Sequence, residues 1–397
     1  MRFGPLPAVS APAVSAPAVS APAVPRPQSP HEPSAVYHPP SMRLVSARVV
    51  GLGPFDDLSV PFHDDDGAPR SVTVVLGGGG VGKTTLLSAI ASTRPGYAVA
   101  QTRPRSPARA AAPEPAFVVT DWALGVDDPA RPHVLRVTSP NAVLAEPEEV
   151  SLLRRREQAL FDKRATEAGF LLGAVSGARW FSRSAAVLST PDRTITRWDV
   201  RAPFSFDDAT RADLTRETKQ ALAFASIASA LARTGSGDDR RQGRFVVFDE
   251  AMREVVSKLT ALLGFRYVGA DPATLEPIFA TPGGSALFFD DLPTGARHLA
   301  ALAALTVRAL FAAYPAIDPR ACEGVFLVDD AGLHLEPGVQ RRLVPVLRDA
   351  LPRVQWVLTT SSTAIALGCE PGEVVALRRM QSGARVELYD GAMALVH

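Results

Sequence analysis

A run of glycines between residues 72 and 85 constrains this chain more than any other feature. An apolar, β-branched segment from Val72 to Leu76 precedes the glycines, and apolar residues at helical spacing follow them. The residues from Gly77 to Thr84 fit the pattern G-x-x-x-x-G-K-[ST], which binds nucleotide phosphates when a strand precedes it and a helix follows. Glycines suit this task because they let successive backbone N–H groups turn toward phosphate oxygens. The sequence therefore predicts a phosphate-binding loop, with an ordinary glycine-rich turn as the alternative.

The residues of this loop have distinct expected roles. Lys83 is predicted to reach the β- and γ-phosphates of a nucleoside triphosphate, and the Thr84 hydroxyl is predicted to hold Mg²⁺. The positive end of the following helix dipole adds to the attraction for anions. The candidate nucleotide-binding residues of the loop are Gly77, Gly78, Gly79, Gly80, Val81, Gly82, Lys83, Thr84 and Thr85.

Composition limits the partners that this chain is expected to have. Apolar residues make up 46% of the sequence, which is enough for a substantial core. The net charge is +1, so no global field favours nucleic acid or an anionic membrane. The two cysteines, Cys322 and Cys369, predict neither a disulfide framework nor a zinc site. The longest apolar stretch, Leu299–Ala313, is interrupted by Arg308, so we predict no membrane span and a cytoplasmic protein.

Two segments combine an apolar run with a pair of acids. The run Phe245–Phe248 is short and leads into helical spacing, so Asp249 is interpreted as the N-cap of a helix. The run Val325–Val328 is continuous, as in a buried parallel strand. Asp329 and Asp330 stand at its carboxyl end, where ligands bind in open α/β sheets. We therefore predict that the later acid pair, and not the earlier one, belongs to the nucleotide site.

Several segments, taken in order, resemble the ABC-type ATPase heads of the SMC/RecF/OLD group, in particular short bacterial AAA-family ATP-binding proteins. The residues Gly77–Thr85 resemble the phosphate loop of that group. Leu292–Arg297 resembles its Leu-Ser-x-Gly-x-x signature, and Leu327–Pro337 resembles its Walker B strand and D-loop. Thr359–Ser362 stands where the group usually has Thr-His-Ser. The resemblance implies an α/β fold of the P-loop NTPase class, an ABC-type ATPase head with an antiparallel β subdomain and a helical insertion.

The chain departs from the pattern of that group at four positions. The signature serine is replaced by Thr294, and the asparagine usual in the phosphate loop is replaced by Gly79. The catalytic glutamate is replaced by Asp330, which is one methylene shorter. The switch histidine is replaced by Ser361, which does not titrate near neutral pH. These differences imply tight binding of Mg-ATP with slow turnover, or with none.

The resemblance also implies roles for residues outside the loop. Asp329 would hold Mg²⁺ together with Thr84, and Asp330 would orient or deprotonate the attacking water. Ser361 would be a weak sensor of the γ-phosphate. The resemblance further implies an ATP-dependent, head-to-tail homodimer, in which Thr294 and Gly295 would contact ATP from the facing subunit. Gln101 would connect the nucleotide to the insertion.

The chain is expected to divide into four regions. Residues 1–41 carry a Pro-Ala-Val-Ser-Ala repeat that excludes helix and sheet, so we predict a disordered tail, with Met42 as an alternative start. Residues 42–205 are expected to form the N-terminal half of an ATPase head. Residues 206–284 are expected to form a mainly helical insertion, and residues 285–397 the C-terminal half.

Local patterns predict several individual elements. Alternation indicates a strand at Arg43–Val50 and a hairpin of Ala116–Trp122 with His133–Val137. The segment Pro147–Leu172 is predicted to be a helix, and weak alternation in Ala178–Val200 indicates further strands.

The predicted function is an ATP-driven switch that acts on an unidentified protein effector. One alternative is a nucleotide-binding scaffold that does not hydrolyse ATP. Another is a DNA-associated ATPase of a repair or phage-defence system, which rests on family analogy alone and which the near-neutral charge does not support.

Overall fold

The computed structural model describes residues 42–101, 116–123, 134–166, 171–188, 212–234, 239–380 and 385–394. The strands in these ranges, β1 to β15 in chain order, are Arg43–Val50, Asp57–Pro61, Val72–Gly77, Thr93–Arg94, Tyr97–Ala98, Phe117–Ala123, Leu135–Thr138, Leu172–Val175, Arg266–Ala270, Pro277–Ala280, Ala286–Phe288, Gly324–Val328, Val354–Thr360, Val374–Arg379 and Val386–Asp390. The α-helices in the same ranges, α1 to α7, are Lys83–Ser92, Glu148–Thr166, Thr215–Thr234, Asp239–Thr260, Thr294–Ala313, Pro337–Ala350 and Thr363–Ala366.

The central sheet has six strands in the order β15-β14-β3-β13-β12-β8. Strands β14, β3, β13, β12 and β8 are parallel, and β15 pairs antiparallel with β14 at one edge. Strand β13 lies between β3 and β12, so the loops that follow these two strands leave the same edge of the sheet on either side of β13. The sheet order therefore brings the glycine loop and the late acid pair to one edge.

A second sheet covers one face of the central sheet. It has the order β2-β1-β6-β7 and is antiparallel throughout, which confirms the strand predicted at Arg43–Val50 and the predicted pairing of β6 with β7. Helix α1 lies between the two sheets, because its Leu86 and Ile90 share a buried cluster with Val118 of β6 and Val357 of β13. The glycine loop thus connects a strand of the central sheet to a helix that is packed between the two sheets.

Helices cover the opposite face of the central sheet. Leu222 of α3, Phe248 of α4 and Leu299 of α5 belong to one buried cluster with Leu358 of β13. Successive residues Val357 and Leu358 therefore point into different cores, as expected of a strand that is buried on both faces.

The region between residues 206 and 284 contains the two expected helices, α3 and α4, but also strands that the sequence analysis missed. Strand β10 pairs with β9 on one side and with β11 on the other, in a three-stranded antiparallel sheet. These strands are only three to five residues long, and their alternation is brief beside the long helical pattern that precedes them.

The interpretation of Asp249 as an N-cap is wrong. Helix α4 begins at Asp239, so Asp249 lies in its interior and accepts hydrogen bonds from Ser226 and Arg253 at 3.2 and 2.9 Å. The preceding apolar residues are helical because they pack on neighbouring helices; the Phe248 ring stacks on Phe311 with centroids 4.1 Å apart. This segment is therefore not a strand that ends in an acid pair.

Two further element predictions need correction. The helix predicted over Pro147–Leu172 ends at Thr166, and Leu172 begins β8 at the edge of the central sheet. Between residues 178 and 188, pairing is limited to a single bridge between Trp180 and Asp213, so this stretch does not contain the predicted strands. The predictions for residues 1–41 and 189–200 lie outside the described residues.

Helix α5 is longer than the apolar stretch from which we predicted no membrane span. It runs from Thr294 to Ala313, and its length and composition alone would allow it to cross a membrane. Of the window that meets this test, 94% is buried inside the protein, as in the core helix of a globular domain.

Candidate nucleotide-binding site

The glycine loop connects β3, which ends at Gly77, to α1, which begins at Lys83. Both ends of the loop need glycine for lack of space. A Cβ at Gly77 would lie 2.8 Å from the carbonyl oxygen of Leu377, and a Cβ at Gly82 would lie 2.5 Å from the Phe55 ring. Gly82 also has a φ of 95°, in the left-handed region that favours glycine. These contacts fix the loop as a tight turn against β14 and the β1–β2 connection.

Lys83 folds back over the loop. Its Nζ donates hydrogen bonds to the carbonyl oxygens of Gly77 at 2.7 Å and Gly78 at 2.8 Å. Burial lowers the pKa of Lys83, whereas the nearby carboxylates of Asp330 and Asp329 act to raise it. The ammonium is therefore held by neutral carbonyl groups, which a phosphate group can replace.

The residue after Lys83 contacts the end of β12. Thr84 Oγ1 donates to Asp329 Oδ2 at 2.8 Å, and Thr359 Oγ1 of β13 donates to Asp329 Oδ1 at 2.6 Å. Asp329 is only 6% exposed, so both of its carboxylate oxygens need such partners. The strand order explains this arrangement, because β13 lies between β12, which Asp329 follows, and β3, which leads through the glycine loop to Thr84.

The oxygens of Thr84 and Asp329 fit a Mg²⁺ ion. Magnesium prefers oxygen ligands and is commonly held by one or two protein groups together with phosphates and waters. Among the described residues there is no group of three or more His, Cys, Asp or Glu side chains that could hold a metal. Gly177 leaves space beside the carboxylate, since a Cβ there would lie 2.9 Å from Asp329 Oδ2. The donor set therefore suits a metal that arrives with a nucleotide.

Asp330 adopts a φ of 46°, which is uncommon for a residue other than glycine and is better tolerated by aspartate than by most residues. Its backbone N–H donates to Thr359 Oγ1 at 2.9 Å. The left-handed conformation turns the chain sharply after β12, and the half-buried carboxyl group follows the buried Asp329 at the same sheet edge.

Thr294 and Gly295 form the first turn of α5. A Cβ at Gly295 would lie 2.6 Å from the carbonyl oxygen of His334, so this turn packs closely on the segment that follows the acid pair. Thr294 is half-buried, and its Oγ1 accepts a long hydrogen bond of 3.4 Å from Arg297. Both residues thus lie against the segment after Asp330.

Ser361 is exposed immediately after β13 and lines, with Gly77 and Gly78, a cavity of about 420 Å³ beside the glycine loop. Gln101 is not brought to the loop. Its Nε2 donates to Ser92 Oγ at 3.0 Å, and Ser92 is the last residue of α1. Since Lys83 is the first residue of that helix, the rise per residue separates the two ends by about 13 Å.

Two buried residues beside the acid pair, Arg179 and His298, were not predicted from the sequence. They are 7% and 5% exposed, and Arg179 Nε donates to His298 Nδ1 at 3.0 Å. A single arginine in a loop has no sequence pattern from which its role could be predicted. Recognition of β8 would have placed the residues after Val175 at the same sheet edge as Asp329 and so drawn attention to Arg179.

No protein-family model and no curated protein matches this chain. The solved structures that resemble it include an Smc head bound to the C-winged helix domain of ScpA, with 13% identity, a TM-score of 0.43 and coverage of 88% of this chain and 98% of that chain. An Smc head with an extended coiled coil, bound to the C-terminal domain of ScpA derived from Pyrococcus furiosus, has 14% identity and a TM-score of 0.41. The match covers 88% of this chain and 96% of that chain. The SMC head domain from Thermotoga maritima has 13% identity, a TM-score of 0.39 and coverage of 88% and 98%.

Proposed function

We propose that this protein is an ABC-type ATPase that binds Mg-ATP, hydrolyses it slowly, dimerises around the nucleotide and acts as a switch on a protein partner. The contact between Thr84 and Asp329 carries this proposal. These residues are 245 positions apart in the sequence, yet their oxygens are 2.8 Å apart, beside a glycine loop with its lysine. A hydroxyl and a carboxylate joined in this way are the protein ligands that a phosphate-bound Mg²⁺ needs.

The remaining residues have simple roles in this proposal. Lys83 would exchange its two loop carbonyls for phosphate oxygens, and the loop N–H groups would bind the same phosphates. Mg²⁺, when bound, neutralises the phosphate charge that develops during transfer. Asp330 would orient or deprotonate the attacking water.

Slow turnover follows from two side chains. Asp330 is shorter than the glutamate of the resembling group, so its carboxyl group reaches less far toward a water at the γ-phosphate. Ser361 offers a hydroxyl in place of an imidazole and does not change its charge near neutral pH. Both residues lie beside the loop region but are exposed or half-buried, which leaves the attacking water poorly enclosed in a single subunit.

Dimerisation would complete the site. The first turn of α5, with Thr294 and Gly295, has backbone N–H groups that suit an anion. We propose that this turn contacts the γ-phosphate of ATP held by the glycine loop of a second copy of the chain. A closed pair of sites would exclude water and supply donors that one subunit does not place at its own loop.

The substitution Asp330→Asn tests hydrolysis and dimerisation together. We expect phosphate release to fall by about 100-fold or more, because the amide does not accept a proton from water, while ATP affinity is retained. We also expect an ATP-dependent dimer in gel filtration with light scattering. The matched control is Asp349→Asn, at an exposed carboxylate on α6. If Asp330→Asn releases phosphate at the wild-type rate, the proposed hydrolysis role of Asp330 is contradicted. If it elutes identically with and without ATP, the proposed ATP-dependent dimer is contradicted.

A scaffold that binds ATP without hydrolysing it is the second candidate, and the replacement of a titratable switch residue by the exposed Ser361 favours it. In that case ATP binds to the wild-type protein, but phosphate release does not exceed that of Asp330→Asn. Measurement of both quantities on the same preparation separates the two functions.

A further inference from the structure

Arg179 is a buried arginine whose hydrogen bonds to the acid-pair segment go to backbone carbonyl groups. Its Nη1 donates to Asp329 O at 2.6 Å and to Ser176 O at 3.0 Å, and its Nη2 donates to Asp330 O at 2.8 Å. Burial lowers the pKa of Arg179 to about 10, although the carboxylates of Asp330 and Asp329 act to raise it. The guanidinium therefore remains charged at neutral pH and binds two successive carbonyls after β12.

This geometry requires arginine. The guanidinium is a planar fork with fixed donors, so it can reach two neighbouring carbonyl oxygens while Nε points elsewhere. Lysine carries a single ammonium and cannot hold the same groups in one plane. In an extended strand, the carbonyl groups of Asp329 and Asp330 would point to opposite sides. The φ of 46° at Asp330 allows Arg179 to bind both of them. Arg179 therefore stabilises the left-handed turn that directs the Asp330 carboxyl group.

The third donor of Arg179 connects this turn to α5. Nε donates to His298 Nδ1, so the imidazole is neutral with its proton on Nε2. His298 lies one helical turn after Thr294, and its ring is 5.0 Å from the ring of His334. A second contact connects the same two segments, since Gly295 packs on the carbonyl group of His334. The acid pair and the first turn of α5 are thus joined at two points.

We propose that Arg179 is a positioning residue of the hydrolysis site: it fixes the backbone of Asp329 and Asp330 and, through His298, couples them to the first turn of α5. The catalytic half of this inference rests on the proposed function. Its consequence is that a ligand that shifts the turn at Thr294 and Gly295 also shifts the carbonyl groups that orient Asp330. Binding at one subunit's α5 is therefore transmitted to that subunit's own acid pair.

The test compares Arg179→Lys with the control Arg136→Lys, which alters an exposed ion pair with Asp121. In nucleotide-free protein, we expect amides of the segment 329–335 to exchange hydrogen faster in Arg179→Lys than in the wild type or control. At saturating ATP we expect kcat to fall by about tenfold or more, because the acid is misplaced. The dissociation constant for ATP, measured without Mg²⁺, should change by less than about threefold, because the hydrogen bonds of Arg179 go to residues outside the glycine loop.

His298 provides a second pair of variants, which keeps the inference testable if Arg179→Lys does not fold. His298→Asn retains an acceptor near the position of Nδ1, whereas His298→Leu removes it. We expect the leucine variant to reproduce the faster exchange and lower kcat, and the asparagine variant to restore both. In the double variant with Arg179→Lys, the leucine substitution should add little, because both changes break the same contact.

The outcomes separate this inference from the proposed function. Wild-type exchange in segment 329–335 in both Arg179→Lys and His298→Leu overturns the positioning role, and so does an unchanged kcat in a protein that turns over ATP. If the wild type releases no phosphate above Asp330→Asn, hydrolysis is contradicted. The exchange measurement, which needs no nucleotide, still decides whether Arg179 positions the acid pair.

Discussion

Asp330 and His334 adopt φ values of 46° and 59°, so two residues other than glycine take the left-handed conformation within one short segment. Such conformations carry local strain and persist only where the surroundings hold them. Here the Thr359 hydroxyl binds the Asp330 N–H, and Arg179 binds the Asp330 carbonyl. The strained residue therefore coincides with the candidate catalytic acid.

His298 gives this segment a pH dependence. Burial, followed by the charges of Arg179, His334 and Arg297, lowers the pKa of His298 to about 3. In the unfolded chain the same histidine titrates near its ordinary value, about 6.5. Between these values the unfolded state binds more protons than the folded state, so the free energy of unfolding falls as the pH decreases through this window.

We predict that His298 contributes a loss of about 2 kcal/mol in the free energy of unfolding between pH 7.5 and pH 5. Urea denaturation of the wild type and His298→Asn at both pH values measures this loss. The variant should lose less stability on acidification, because asparagine does not bind a proton. Parallel pH profiles for the two proteins would show that the imidazole accepts a proton in the folded state as readily as in the unfolded one.

Helix α6 depends on a contact with a neighbouring element. Pro345 lies inside this helix and has no N–H, so the carbonyl group of Arg341 has no helical partner. Gly368, just after α7, lies directly against that carbonyl oxygen, and a Cβ there would overlap it. Because Pro345 does not donate to the Arg341 carbonyl oxygen, the segment at Gly368 can pack directly against that oxygen, and only glycine fits there.

At the scale of this element, we predict that Gly368→Ala lowers the free energy of unfolding by about 2–4 kcal/mol, because the clash involves backbone that cannot rotate away. The matched control is Gly338→Ala in the first turn of the same helix, where nothing lies within 4 Å of the added Cβ. Alanine there should stabilise the protein by about 0.5–1 kcal/mol. Equal effects of the two substitutions in chemical denaturation would contradict this account of α6.

The whole molecule connects two hydrophobic cores through one sheet. Val75 of β3 belongs to the core shared with the antiparallel sheet, while Val74 belongs to the core shared with the helices. The glycine loop extends β3 directly, so a ligand that fixes the loop acts on a strand that both cores share. Binding at the loop should therefore be measurable as stability of the entire domain.

We predict that Mg-ATP raises the melting temperature of the wild type but not of Lys83→Ala. A ligand at 100 times its dissociation constant stabilises the folded state by about 2.7 kcal/mol. Differential scanning fluorimetry over a range of Mg-ATP concentrations measures the shift. Lys258→Ala is the control, because Lys258 forms surface ion pairs with Glu254 and Asp349. An equal shift in Lys83→Ala would exclude the loop lysine as a phosphate ligand.

Much of the fold was predictable where the determining pattern is local. The glycine loop, the strand Arg43–Val50 and the strand predicted at Val325–Val328 follow from contiguous residues, because turn geometry, alternation and burial on both faces leave direct marks in the sequence. Strand β8 was not predicted, because it has only four residues and one of them is a glycine. Gly173 is needed there only because a Cβ would overlap the Phe326 ring of the neighbouring strand.

A phosphate-binding loop is predicted from the sequence alone, because its residues are adjacent and its chemistry resides in the backbone and in the lysine beside it. Only the tertiary structure decided that Thr84 contacts Asp329, that Arg179 binds the carbonyl groups of the acid pair, and that Gln101 lies at the far end of α1. The physical reason is strand order. The contacts of Thr84 and Arg179 with the acid pair depend on the order β3-β13-β12-β8 in the central sheet, and interactions among many distant side chains select that order.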